Sequence, residues 1–421
     1  MLDLIRPGAM GLAIFGHRGT VVNFRLLSFP GLVIVLLAGA ACSTRGPRVV
    51  ANAEAPPWPW AVSPLVADSI HVEVLAPGVR LYRLTELSRP WRAAVLDVDL
   101  AQCVSVQSVK GASTAVGRQT TSALLKGLDP SRRAVGAVNA DFFLFAPPGV
   151  PTGAHIERGT LISGPGARPV FAMDSAGRPY IGVLRVLGSV TWRGAEYPLT
   201  GWNRPAANSL SVLDAGWGAS IDTAVLGVAW QLRPLGGVRY VVESATATPP
   251  TGDRLLLVRG RGASLAGFSV AVGDSLSVRW RMEPMYPKES VGGFPVLLRD
   301  SVMPDGAATA GAAGFSGPNP RTAVGVGAGG RRLLFVVIDG RQAGFSAGAT
   351  LAQTADLMRA LGAREALNLD GGGSSALVVR NFRDELRVIT RPSDPAGERA
   401  VGNALAVLAA CEGSRSAQRS R

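Results

Sequence analysis

The sequence predicts an α+β fold: a mixed, largely antiparallel sheet with few helices and a β-rich insertion. Three observations predict it. Short apolar runs broken by Gly, Pro and Asp recur along most of the chain, the pattern of strands joined by turns. Helical spacing of apolar residues is confined to two stretches, near 120–128 and 350–361. Between residues 319 and 375 a hairpin, a helix and a further strand follow one another, so helix and sheet share a folding unit.

The elements follow in chain order. Residues 1–41 read as a signal segment: Arg6, Arg18 and Arg25 precede an apolar stretch too short and Pro-interrupted for a membrane span. Its end, Ala40-Ala41-Cys42, resembles a bacterial lipobox with Cys42 as the lipidated residue, while Ala38-Gly39-Ala40 fits plain signal cleavage. Both readings export the protein, to the cell envelope or periplasm as a lipoprotein, or as a secreted chain. Residues 42–69 are Pro-rich and aperiodic and read as a tether. In an oxidising compartment Cys103 and Cys411 are a candidate disulfide between the ends of the folded region; two buried thiols are the alternative. The folded domain is placed at 70–411, and the tail 412–421 is too polar to pack.

Strand-like alternation fills 70–75, 79–84, 93–100 and 103–109, then a short helix candidate and an apolar strand at 134–138. The middle, about 170–290, has β-like runs and almost no helical period, and reads as the β-rich insertion. Next comes a hairpin, 322–327 and 333–338, around Ala328-Gly329-Gly330-Arg331. Its antiparallel pairing places Arg321 beside Asp339. Thr350 and Gln353 form a capping box, and Leu351, Ala355, Met358 and Leu361 repeat at helical spacing up to Gly362. A strand at 366–370 then alternates, with Asn368 and Asp370 on one face. If the strands flanking this helix are parallel, Asp339 and Asp370 leave the sheet at the same edge.

The chain has 421 residues with 43 basic and 30 acidic side chains, a net charge of +13. Only Lys110, Lys126 and Lys288 are lysines, and the arginines are scattered rather than clustered. That patterning argues against nucleic acid as a partner.

Chemistry-bearing residues gather near the C-terminal unit. Arg321, aided by Thr322, is a candidate phosphate clamp, because guanidinium presents a planar fork. A surface ion pair with Asp339 is the plainer reading. Asp370-Gly371-Gly372-Gly373-Ser374-Ser375 combines a strand-end acid with glycines whose backbone amides suit an oxyanion nest. Ser374 reads as a hydroxyl donor, and as a nucleophile only if His155 serves as its base. Asn139 and Asp141 share a face after a strand, and the aromatics that follow, Phe142 and Phe143, suit a sugar pocket. His155 reads as a hydrogen-bonding group closing that pocket. No zinc spacing is present in the sequence. No cofactor is expected, although Asp141, Asp339 and Asp370 could hold Ca²⁺ or Mg²⁺ if they converge.

Taken in order, Asn139-Ala140-Asp141-Phe142-Phe143, Gly292-Gly293-Phe294-Pro295, Asn319-Pro320-Arg321-Thr322, Asp339-Gly340-Arg341, Asn368-Leu369-Asp370-Gly371-Gly372-Gly373-Ser374-Ser375 and Arg399-Ala400-Val401-Gly402-Asn403 resemble the phosphodiester glycosidase family. The resemblance spans roughly 134–408. Arg299-Asp300 departs from it, standing where a small residue is expected. The resemblance implies a hydrolase that frees a sugar from an anomeric phosphodiester, whose phosphate leaves as a weakly basic anion. Asp370 would be nucleophile or base, and Asp339 or Asp141 the second acid. Arg321, Thr322, Asn139, Asn368, Gly371, Gly372, Gly373, Ser374 and His155 would bind substrate. For an exported bacterial enzyme an envelope or capsule glycopolymer is the expected partner, with membrane contact only through a lipid anchor. The alternative is a non-catalytic envelope lipoprotein that binds anionic glycopolymers.

Overall fold

The computed structural model describes residues 48–51 and 68–409, apart from 112, 113, 129, 313 and 382. The signal segment, Cys42, Cys411 and the 412–421 tail lie outside the described residues. Cys103 is disulfide-bonded.

The fold is largely β rather than α+β, at 45% strand and 9% helix. Both helix signals are real but short. Thr121–Lys126 is capped by the Thr120 hydroxyl, and Leu351–Ala360 by the full Thr350–Gln353 capping box. Among the described residues the one further α-helix is the single turn Thr223–Leu226, so the short helices do not make a second layer type.

Among the described residues the strands form four sheets. The central one orders Arg48–Ala51, Ser69–Ala76, Val79–Glu86, Trp91–Asp99, Arg332–Ile338, Arg321–Gly327, Ala363–Asn368 and Val296–Leu298. Arg48–Ala51 pairs in parallel with the start of Ser69–Ala76. Part of the stretch read as a tether is therefore an edge strand, favoured by the β-branched Val49-Val50 pair.

The strand Arg332–Ile338 shows why this sheet holds the site. Leu333, Phe335 and Val337 face one core with Leu96, Val138, Phe171 and Leu405. Leu334, Val336 and Ile338 face the other, against Leu351, Ala355 and Met358 of the helix. Both faces are buried, so the run is continuously apolar instead of alternating. Phe335 is fully buried, and truncating it to Ala would cost about 3–5 kcal/mol.

Arg321–Gly327 pairs antiparallel with Arg332–Ile338 on one side and with Ala363–Asn368 on the other. The two outer strands therefore run parallel, and the acids that follow them, Asp339 and Asp370, leave at the same edge. A five-stranded sheet containing Ala134–Asn139 and Ala404–Leu408 packs on the first core. Within the middle of the chain, Arg185–Trp192 through Ser275–Glu283 build a separate eight-stranded sheet. Its own core centres on Trp192, Trp202, Trp230 and Phe268.

Candidate active site

Arg321 opens its strand opposite Ile338, as the hairpin register requires. Its side chain is only 2% exposed. Nε donates to the Ala349 carbonyl at 2.9 Å, and Nη2 to the carbonyls of Phe315 and Gly317. The guanidinium also stacks on the Phe315 ring, 5.3 Å from its centroid. These contacts fix the fork while Nη1 keeps no hydrogen-bond partner among the described residues. Burial, with the nearby charge of Arg341, lowers its pKa to about 10, so it stays cationic at neutral pH. The expected ion pair with Asp339 is not made.

The glycine loop works differently from the expected nest. The amide of Gly371 donates to Asp370 Oδ1 at 2.9 Å and that of Gly372 to the Pro320 carbonyl at 2.9 Å. Ser374 and Ser375 donate to Gly371 and Gly372 within a 3₁₀ turn. Four of the loop amides are thus satisfied internally. The glycines serve close approach instead. A Cβ on Gly372, whose φ is +62°, would lie 3.1 Å from the Arg341 guanidinium. A Cβ on Gly373 would overlap Asp394 Oδ1 and Arg399 Nη2. Bare backbone lets two guanidiniums settle against the loop.

Those two arginines complete the pocket. Arg341 donates through Nε and Nη2 to Asn319 Oδ1 at 3.0 and 2.8 Å. Its backbone holds φ at +59°, uncommon for a side-chain-bearing residue and frequent at functional positions. Arg399 pairs bidentately with Asp394, at 2.8 and 3.0 Å. A cavity of about 460 Å³ is lined by Arg321, Arg341, Arg399, Asp370, Phe142 and Phe315, among others. Sequence reasoning assigned Arg341 and Arg399 no role, although both stand inside the motifs. Only the fold brings them from separate segments to one loop.

Asp370 is the acid that faces this cavity. Its backbone amide donates to the Ala140 carbonyl at 2.7 Å, and its carbonyl accepts from Asn139 Nδ2 at 2.7 Å. Desolvation raises its carboxyl to about 7, opposed by Ser374 and the Gly371 amide and reinforced by the charge of Asp141. Asp141 is 0% exposed. Its oxygens accept from Thr152 Oγ1 at 3.0 Å and the Gly153 amide at 2.7 Å. Burial raises it to about 6, against those hydrogen bonds and the charges of Arg204 and Arg168. Asp141 acts on Asp370 through its field and has no open face for a substrate.

Several expected site residues stand back from the cavity. Asn139 Oδ1 accepts from Thr322 Oγ1 at 2.7 Å and from the Ala376 amide at 3.0 Å. Asn139 and Thr322 are therefore a buried bracket that hangs the Asp370 loop on the sheet. Asn368, 1% exposed, donates to the Phe294 and Leu369 carbonyls. His155 is fully buried, with Nδ1 facing Asn403 Nδ2 at 3.0 Å and Nε2 3.8 Å from Glu157. Burial lowers its pKa, so it is neutral. Asn403 Oδ1 in turn accepts the Asp141 amide at 2.8 Å. Ser374 is buried and makes no hydrogen bond to His155, so a serine dyad is not assembled.

Asp339 is also displaced. Although it leaves the sheet at the expected edge, its carboxyl lines a different cavity with Arg92, Phe345 and His71. Among the described residues no three His, Cys, Asp or Glu side chains gather as metal ligands.

Residues 239–408 match the family model described as phosphodiester glycosidase. No curated protein matches the chain. Among solved structures, a hypothetical protein from Synechocystis is similar in fold, with a TM-score of 0.65 at 20% identity. The match covers 85% of this chain and 64% of that one, so the chain spans under two thirds of that protein's length. A putative exported protein from Burkholderia pseudomallei aligns with a TM-score of 0.59 and 26% identity, covering 76% of this chain and 74% of that one. The zebrafish N-acetylglucosamine-1-phosphodiester alpha-N-acetylglucosaminidase catalytic domain aligns at a TM-score of 0.42 and 16% identity, over 80% and 81%. Arg321, Arg341, Asp370, the glycine loop and Arg399 all lie inside the matched segment, so over residues 239–408 the chain is similar to the phosphodiester glycosidase family.

Proposed function

We propose that the chain is an exported hydrolase that cleaves a sugar from a glycosyl-1-phosphodiester, releasing free sugar and a phosphomonoester. The observation that carries this reading is the convergence of Arg321, Arg341 and Arg399 on the cavity that Asp370 lines. Three guanidiniums match an anion whose charge grows as the bond breaks. One desolvated carboxyl beside them supplies the group that glycoside cleavage needs.

The anomeric C–O bond breaks and its electron pair leaves on the phosphate oxygen. A phosphate is a weak base, so this departure needs charge stabilisation more than a proton donor. Asp370 acts at the anomeric carbon, as nucleophile or as base for water. The hydroxyl of water ends on the sugar, and its proton, taken up by Asp370, leaves with the phosphomonoester. Phe142 and Phe315, 5.8 Å apart, offer apolar walls for a sugar face. With a pKa of about 7, Asp370 is half ionised near neutrality, where a base is most useful. The N-terminal segment and the family match together favour anomeric phosphodiesters of envelope or capsule polymers.

Free-sugar release from UDP-N-acetylglucosamine, with Asp370→Asn as control, tests the reading. Release by the wild type alone is expected. Equal release by both would remove Asp370 from the mechanism. Silence from both, with anionic glycans still bound, would favour a binding protein.

A further inference from the structure

The acid that ends Arg332–Ile338 has its own surroundings. Asp339 is 7% exposed, and its Oδ1 accepts the Arg391 amide at 2.9 Å. Among the described residues its carboxylate forms no ion pair, and neither do Arg83, Arg92 or Arg391. Arg92 and Arg391 both stack on the Phe345 ring, 5.2 and 5.1 Å from its centroid. One ring thus holds two guanidiniums beside a buried carboxyl. Arg83 and His71 lie along the same cavity, whose volume is about 440 Å³. The turn carrying Phe345 is rigidly tied. Ser346 Oγ donates to the Asp339 carbonyl at 2.6 Å and accepts the Arg92 amide at 3.1 Å, while Gln342 Nε2 donates to the Arg391 carbonyl at 2.9 Å.

A buried acid without an ion-pair partner is costly, and two preset guanidiniums without carboxylates are unusual in a merely structural cluster. Guanidiniums fixed on a ring lose little freedom when they bind an anion. The buried acid, raised by desolvation to a pKa of about 7 and so about half protonated near neutrality, can donate to or accept from a hydroxyl. An anion flanked by hydroxyls satisfies both demands.

We propose that the cavity lined by Asp339, Arg92 and Phe345, with Arg391 stacked beside it on the Phe345 ring, is a second binding site, separate from the Asp370 cavity, for an anionic sugar unit. Arg92 and Arg391 take the charged group, and Asp339 reads a sugar hydroxyl. Asp339 and Arg341 leave opposite ends of one three-residue segment, the first lining this cavity and the second the other. The site needs no turnover, so its test stands apart from that of the hydrolase reading.

Calorimetric titration of full-length Arg341→Gln, which weakens anion binding at the first cavity, uses glucose 6-phosphate and glucuronate as probes, with glucose and inorganic phosphate as comparisons. Saturable binding of one or both charged sugars is expected; the probe that binds distinguishes a phosphate from a carboxylate source. Adding Arg391→Gln should weaken that binding about tenfold or more, as loss of a charge-assisted hydrogen bond does. Arg391→Lys should recover only part of it, because the fork is lost. Arg391 is exposed, so both variants should fold, as an unchanged melting curve would verify. Three results would overturn the proposal: no binding of either charged sugar, binding indifferent to Arg391→Gln, or glucose or inorganic phosphate binding as well as the charged sugars.

Discussion

Asp339 and Asp370 follow strands that run parallel on either side of Arg321–Gly327, and burial lifts both carboxyls to about 7. By position and acidity they are equivalents. Their neighbours separate them. Asp370 shares a cavity with Arg321, Arg341 and Arg399 and feels the charge of Asp141. Asp339 shares its cavity with Arg92 and Phe345, Arg391 stacks on the same ring, and no second acid is among the groups that shift it. A strand-end acid with a raised pKa is therefore a candidate only until its surroundings are known.

The largest expected effect tests that separation directly. Asp370→Asn should lower turnover by about 10³-fold or more, since it removes a base or nucleophile without changing shape. Asp339→Asn should lower turnover of a small substrate by less than about tenfold. Comparable losses in steady-state assays of the two variants would merge the two cavities into one site.

Next comes Arg321→Lys. Three backbone carbonyls and the Phe315 ring are built around a guanidinium. A lysine keeps the charge and loses the fork, so kcat/KM should fall about 10²- to 10³-fold. Retained activity would mean that charge alone suffices there.

Gly373→Ala sharpens the account of the loop. Its Cβ would push apart the Arg399–Asp394 pair, and a displacement of that kind costs up to about 10²-fold in kcat. Activity like wild type would show that Arg399 has no part in anchoring the anion.

The smallest effect concerns pH. If Asp370 works as a carboxylate, the rate should rise with pH through about 7. The charge of Asp141 raises that pKa, so Asp141→Asn should move the rising limb to lower pH, by up to about one pH unit. A limb moving to higher pH would contradict the sign of the coupling.

Much of this was legible beforehand where local chemistry decides. The hairpin register, the Thr350 capping box and the cluster of Arg321, Asp370 and the glycines follow from turn residues, caps and apolar spacing. The use made of the glycines was not legible, because nothing local shows whether an amide already has an acceptor. The Gly372 amide meets Pro320, and the Gly373 surface meets a salt bridge from residues 394 and 399. Nor did alternation reveal the cavity Asp339 would face, since it stands one residue beyond its strand, where the chain turns away from the sheet. The polar residues Asn139, Thr322 and Asn368 looked like ligand contacts and are internal brackets. Buried polar groups and binding groups have the same composition, and only burial tells them apart.

The most direct test of the central claim is hydrolysis in H₂¹⁸O, with both products weighed by mass spectrometry. The account predicts the label on the released sugar, because the anomeric C–O bond breaks. Label in the phosphomonoester, with none in the sugar, would mean attack at phosphorus and would contradict it.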